Sequence, residues 1–224
     1  MKPALWHTTV GNQAVHHKIR QPIIGNRPEI LSEVFQSSTN IVVWKRKLSD
    51  RLQQECARFV VANPGLSLSM VVERANATSS ISPIFGGQEA DRITTSVVAL
   101  VDLFCALFEL KKTRLQLATV NHAMCPRFHA DHLPCRLVTT YHGVCTEWLA
   151  HESVDRTKLG PGSGGLPDHK TGLYTHSSDI HRLECGDVAL FKGETWAGNE
   201  NAGLVHRSPA VPIGQARLLL TLDY

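Results

Sequence analysis

Residues 125–148 read CPRFHADHLPCRLVTTYHGVCTEW, and within them stands the triplet His129-Ala130-Asp131. On an extended strand, side chains alternate between faces, so His129 and Asp131 project together while Ala130 and His132 point away. An imidazole and a carboxylate on one face are two of the three ligands in the two-histidine, one-carboxylate set that holds non-haem Fe(II) with open positions. The third must come from another strand, and LVHRSPAVPIGQARLLLTLDY near the C-terminus offers His206, with Arg217 eleven residues later. A competing arrangement uses zinc. Cys125, His129, His132 and Cys135 form C-x3-H-x2-H-x2-C, and thiolates with imidazoles make a good tetrahedral zinc set. If residues 127–132 form a strand, His129 and His132 face opposite ways, so these four converge only on a loop or a helical turn. Such a site would suit a non-enzymatic role in metal homeostasis. Two further readings stay open: His129, Asp131 and His206 holding zinc or another divalent ion, and a β-structure that merely binds a partner.

The elements that must position these groups follow from periodicity. Thr39–Trp44 is a β-branched run that predicts a strand. Ser49 stands at an N-cap position, and LQQECARFVVA predicts a helix running to Ala62, stopped by Asn63-Pro64-Gly65. Leu66–Arg74 reads as another strand, and ATSSISPIFGGQ as loop. Residues 88–112 carry the strongest helical pattern, with Ile93, Val97, Leu100, Val101, Phe104, Leu107 and Phe108 at three- and four-residue spacing. From Arg114 onward the pattern changes to short strands: LQLATVNH, RFHAD, RLVTTYH, EWLAH, DVALFK, GLVHRS and ARLLLTLDY. Such a series suggests a sandwich or a barrel. Residues 155–179, containing GPGSGG, are long for a structureless connection, and loops of that kind often serve as lids or binding loops. Glu147 and Trp148 read as fold elements. His142, His151, His176 and His181 read as surface residues.

The chain as a whole has 224 residues, 42% hydrophobic and 19% charged, which is room for one sizeable core and is not the composition of a disordered chain. A net charge of +3, with no Lys/Arg run interleaved with aromatics, gives no warrant for nucleic acid. Residues 1–29 are polar and read as a tail or surface arm, without a secretory signal. The run from Val97 to Leu110 is too short to span a bilayer and carries Asp102, so no membrane association and a cytoplasmic location are expected. Six scattered cysteines with no CxxC pair predict reduced thiols. The division expected is an N-terminal α/β extension with supporting helices over residues 1–112 and a β metal-binding region over 113–224, together one compact unit.

The order of features from His129 to Tyr224 resembles the Fe(II)/2-oxoglutarate-dependent dioxygenases, particularly the prolyl-hydroxylase type. That family has HxD on one strand of a double-stranded β-helix, then an Arg/Thr/Tyr-containing strand and a Gly-Gly-Glu-Thr-like turn. A Gly-Asp-x-x-x-Phe strand follows, then a distal His and, a little further on, a Lys or Arg that grips the co-substrate. The counterparts here are His129-Ala-Asp131, RLVTTYHGVCTEW with Arg136, Tyr141 and Glu147, GDVALF, His206-Arg-Ser-Pro and Gly214-Gln-Ala-Arg217. Cys145 and Thr146 depart from the family's glycines, the loop at 155–179 is long, and no serine lies two residues after Arg217. The whole chain resembles, more closely still, a family of bacterial proteins known as domain of unknown function 1826, through CPRFHADHLPCRLVTTYHG, GDVALFKGE and GLVHRSP.

The first resemblance implies an α+β protein whose C-terminal part is a double-stranded β-helix (a cupin-like jelly roll). It implies Fe(II) on His129, Asp131 and His206, leaving three positions for a bidentate 2-oxo acid and dioxygen. Arg217 would hold the far carboxylate of 2-oxoglutarate, because a guanidinium pairs a carboxylate bidentately and keeps its charge. Tyr141 would be an extra hydrogen-bond donor to that co-substrate. The reaction implied is oxidative hydroxylation of a small molecule or protein side chain, with residues 155–179 as a lid on the substrate side.

Overall fold

The computed structural model describes residues 19–86 and 92–224. Eleven strands occur among them: β1 (Ile23–Gly25), β2 (Ile41–Trp44), β3 (Ser67–Glu73), β4 (Lys112–Val120), β5 (His129–Ala130), β6 (Cys135–His142), β7 (Glu147–Leu149), β8 (Ile180–Arg182), β9 (Val188–Lys192), β10 (Val205–Arg207) and β11 (Arg217–Asp223). The helices are α1 (Asp50–Ala62), α2 (Ala77–Ile81), α3 (Arg92–Leu107) and α4 (Asp168–Thr171). Ser49 caps α1 as its type predicts, its hydroxyl accepting from the Leu52 N–H at 3.4 Å. The α3 stripe falls where the apolar spacing puts it, burying Ile93, Val97, Leu100, Val101 and Phe104. Residues 88–91 of the helix expected over 88–112 lie outside the described residues, and α3 ends at Leu107, short of 112. Of the arm expected over 1–29, residues 1–18 lie outside the described residues, while Ile23–Gly25 form a strand paired parallel with β2 and not a loose tail. Residues 77–85, read as loop, are instead α2 followed by a 3-10 turn, with Ile81 buried in the core.

Two sheets are formed. The larger is mixed, with order β1-β2-β9-β6-β11-β4-β3; the smaller is antiparallel, with order β5-β10-β7-β8. Each runs from one edge strand to another and neither closes on itself. The α+β class therefore holds, but the expected double-stranded β-helix or jelly roll does not. β1, β2 and β3, from the first half of the chain, extend the larger sheet at both ends. The partner sheet is built of strands only two or three residues long.

Strand alternation divides the interior. On β11, Leu218, Leu220 and Leu222 pack toward α1 and α3 with Leu115, Leu117, Leu137 and Phe104. The opposite face of β11 carries Arg217, Leu219 and Thr221. Leu219 meets a second cluster between the sheets, which includes Val138, Trp148, Phe191 and Leu204. A third cluster (Phe128, Leu149, Leu173 and Val205) lies on the outer face of the smaller sheet. Leu173 brings residues 155–179 onto that face, where they fold into short 3-10 turns and α4. The segment expected to be a lid is thus packed behind the smaller sheet, opposite the side from which His206 projects. No helix among the described residues is long and apolar enough to cross a membrane.

Candidate metal centre

His129 and His206 meet because β5 and β10 pair antiparallel with these two residues in register. Alternation sends Phe128 and Val205 to the outer cluster and the two imidazoles inward, where their ring centroids lie 4.6 Å apart. Asp131 joins them from the end of β5. Its Oδ1 is 3.6 Å from His129 Nε2 and its Oδ2 is 3.6 Å from His206 Nε2. One ligand atom from each of the three lies within 4.8 Å of the others, and among the described residues no other group of three or more His, Cys, Asp or Glu does so.

The remaining ring nitrogens have carbonyl partners: Arg127 O is 2.9 Å from His129 Nδ1, and Leu204 O is 3.2 Å from His206 Nδ1. With each Nδ1 protonated and donating, both Nε2 lone pairs converge beside the carboxylate, which is the tautomer a metal ligand needs. Burial pushes the His206 pKa down to about 4, with Asp131 opposing. His129 moves up, chiefly through its hydrogen bond to Asp131. Burial opposes ionisation of Asp131, yet His129, His206 and Arg136 outweigh it and hold its pKa at about 2. Near neutrality His206 therefore offers a neutral imidazole and Asp131 an ionised carboxylate, while the Asp131 contact favours the protonated form of His129, a proton that a bound metal would displace. The three residue types are the donor set of a facial triad.

Arg136, one turn of the chain beyond Asp131, clamps that carboxylate. Its Nη1 donates to Asp131 Oδ2 at 2.8 Å, while its Nε and Nη2 donate to the two oxygens of Asp223 at 2.6 and 3.0 Å. Arg217 lies on the inner face of β11 and is only 1% exposed. Its Nη2 donates to Thr140 and Thr146 hydroxyls, each at 3.2 Å, and its Nε has no hydrogen-bond partner. No carboxylate among the described residues is within ion-pair distance of it. Burial pushes its pKa down to about 10. A buried guanidinium without a carboxylate is costly unless a ligand supplies one. Thr221, further along the same face, also has an unpartnered hydroxyl.

Other expected site residues are placed elsewhere. Tyr141 faces the helices, its hydroxyl 2.8 Å from Ser96 Oγ of α3 and its ring under Arg46. The register of β6 against β11 shifts at Tyr141, which lies between the paired His142 and Thr140. Alternation along β6 puts Tyr141 on the helix side with Cys135 and Leu137, and Thr140 with Val138 on the side of Arg217. The zinc set is not gathered. Cys135 is buried in the helix-side core, where burial drives its thiol pKa upward, while Cys125 is exposed and His132 lies in the turn after Asp131. Thr146 was legible only as a departure from a glycine. The clamp from Asp223 gave no sequence signal, because it pairs residues from distant strands.

The fold bears a likeness to several solved proteins, among them a dioxygenase and a prolyl-4-hydroxylase. The dioxygenase for auxin oxidation 1 of Arabidopsis thaliana, solved with 2-oxoglutarate, matches at TM-score 0.50 with 9% identity, covering 92% of each chain. T7H of Neurospora crassa, solved with alpha-KG, matches at 0.49 with 9% identity, covering 94% of this chain and 85% of that one. A prolyl-4-hydroxylase of Pseudomonas putida matches at 0.47 with 14% identity, covering 88% and 96%. At these identities the likeness is one of fold, and the site adds a His/Asp/His cluster whose residue types and spacing could hold a metal ion. In sequence, residues 25–223 match the family described as protein of unknown function (DUF1826), and the chain belongs to that family. A comparison with curated proteins found no match.

Proposed function

We propose that this protein is an Fe(II)/2-oxoglutarate-dependent oxygenase that hydroxylates a small molecule or a protein side chain. The observation that carries this reading is the His129, Asp131 and His206 cluster together with a buried arginine, Arg217, on the inner face of β11 that has no carboxylate partner among the described residues. His129 and His206 would each give Nε2 and Asp131 one oxygen, leaving the opposite face of the ion open. Arg217 would hold the distal carboxylate of 2-oxoglutarate, with Thr140 and Thr146 fixing the plane of its guanidinium. Phe191, against the His206 ring, and Leu219 line the interior between the sheets and would keep water away from that charge pair. When bound, iron and 2-oxoglutarate supply the activation of dioxygen that hydroxylation of a C–H bond requires.

Anaerobic titration tests this directly. Fe(II) with 2-oxoglutarate should produce a weak visible charge-transfer band. His129→Ala abolishes it, and Arg217→Ala raises the 2-oxoglutarate concentration needed by at least about tenfold, the usual penalty for losing a charge-assisted pair. Absence of the band in the unmodified protein, with no Fe(II) bound, sinks the reading.

A further inference from the structure

We propose that Asp168 is a positioning residue for the metal centre, setting the orientation and tautomer of His129 through the peptide bond between residues 127 and 128. Asp168 opens α4, is 8% exposed, and belongs to the segment packed behind the smaller sheet. Its Oδ2 accepts from the Phe128 N–H at 3.0 Å. That N–H shares one peptide unit with the Arg127 carbonyl, whose oxygen lies 2.9 Å from His129 Nδ1. A carboxylate, a peptide and an imidazole therefore stand in line. A charged acceptor on the N–H end of a peptide strengthens its carbonyl as an acceptor, because hydrogen bonds in series polarise one another. Asp168 thus does through one peptide what a carboxylate directly behind a ligating histidine does: it fixes the proton on Nδ1 and turns Nε2 to the metal.

The same carboxylate also reaches the second ligand strand. Asp168 Oδ2 accepts from Arg207 Nη1 at 3.1 Å, and Arg207 directly follows His206. Arg207 in turn donates to Glu147 of β7 at 2.8 Å and lies with its guanidinium carbon 4.2 Å from the Phe128 ring centroid. Asp168 Oδ1 is 3.7 Å from Arg127 Nε. Every partner of this side chain is therefore a neighbour in sequence of His129 or His206. A carboxylate serving only to anchor a surface segment needs none of those particular partners. His206 is supported differently, by Leu204 O of its own chain segment with no carboxylate behind it among the described residues, so the effect falls chiefly on His129.

This inference rests on the metal-centred reading above, and its test separates the two. The full chain is compared with Asp168→Ala and Asp168→Asn by Co(II) titration and by nitrogen NMR of the His129 ring in the metal-free protein, at a pH where it is neutral. The unmodified protein should show the Nδ1-protonated tautomer. Asp168→Ala should show mixed tautomers and bind Co(II) roughly tenfold more weakly, with an altered visible spectrum. Asp168→Asn keeps an acceptor for the Phe128 N–H, so it should recover the tautomer and most of the affinity, remaining roughly two- to threefold weaker. A folded Asp168→Ala with the original tautomer and unchanged Co(II) affinity overturns the proposal. If Asp168→Ala does not fold, identity of Asp168→Asn with the unmodified protein in both measurements overturns it equally. Failure of the unmodified protein to bind Co(II) counts against the metal reading alone, since the tautomer measurement needs no metal.

Discussion

His206 packs on Phe191, with ring centroids 4.8 Å apart, and refuses a proton that the unfolded chain accepts. Its folded pKa is about 4, against an ordinary histidine value of about 6.5. Between those values the unfolded state binds more protons, so stability of the metal-free protein falls as pH is lowered from about 6.5 toward 4. His129 acts in the other direction and in a higher window: its raised pKa contributes stability below about 6.5 that is lost as pH rises through the folded value. Urea denaturation of the metal-free protein should show the acid-side loss, on the order of 3 kcal/mol, and His206→Asn should flatten it. A second prediction concerns Arg217. Its guanidinium is buried beside two threonines, with no carboxylate among the described residues in ion-pair range, so Arg217→Met should leave the metal-free protein as stable or more stable by about 1 kcal/mol. If 2-oxoglutarate binds as proposed, it should raise the melting temperature of the metal-loaded protein, and the same variant should lose that rise; a large destabilisation without ligand would mean that the arginine is structural.

At the scale of elements, the site depends on how β9 ends. Gly193 follows its last residue, and a Cβ there would lie 2.0 Å from Leu133 O and 2.7 Å from Asp131 O. The neighbouring Glu194 N–H donates to Asp131 O at 2.9 Å, so the backbone that carries the carboxylate leans on this glycine. Gly193→Ala should cost roughly 1–3 kcal/mol in chemical denaturation and weaken metal binding as well, because the clash is with backbone that cannot move aside without carrying Asp131 along. The elements themselves were largely legible. The β-branched runs and the capped helix after Ser49 appear as β2 and α1, and the α3 stripe is where its spacing put it. The segments that escaped were those whose conformation is decided by packing. α2 has no periodic run of its own and is held by Ile81 in the core, while residues 155–179 fold because Leu173 finds Phe128, Leu149 and Val205. The face of Tyr141 follows from alternation with Leu137 along β6, which leaves Thr140 beside Arg217.

The whole molecule consists of a seven-stranded sheet with helices on one face and a small sheet on the other, and both interiors depend on β11. Leu220 is fully buried on its helix side, opposite the face that bears Arg217. Leu220→Ala should cost about 2–5 kcal/mol, read as a lower denaturation midpoint with an unchanged slope, since a cavity there is lined by both helices and sheet. What the sequence determined by itself was the chemistry available: period-two alternation placed His129 beside Asp131, and residue type marked His206 and Arg217 as their partners. Tertiary structure alone decided which of the two histidine-containing sets came together, since only the pairing of β5 with β10 puts His206 opposite His129 and leaves Cys135 in another core. It also decided that the sheets stay open, and that a loop lies behind the two histidines instead of over them. Those outcomes turn on contacts between residues tens of positions apart, whose free energy is set by the burial they share and is written in no local stretch of the chain.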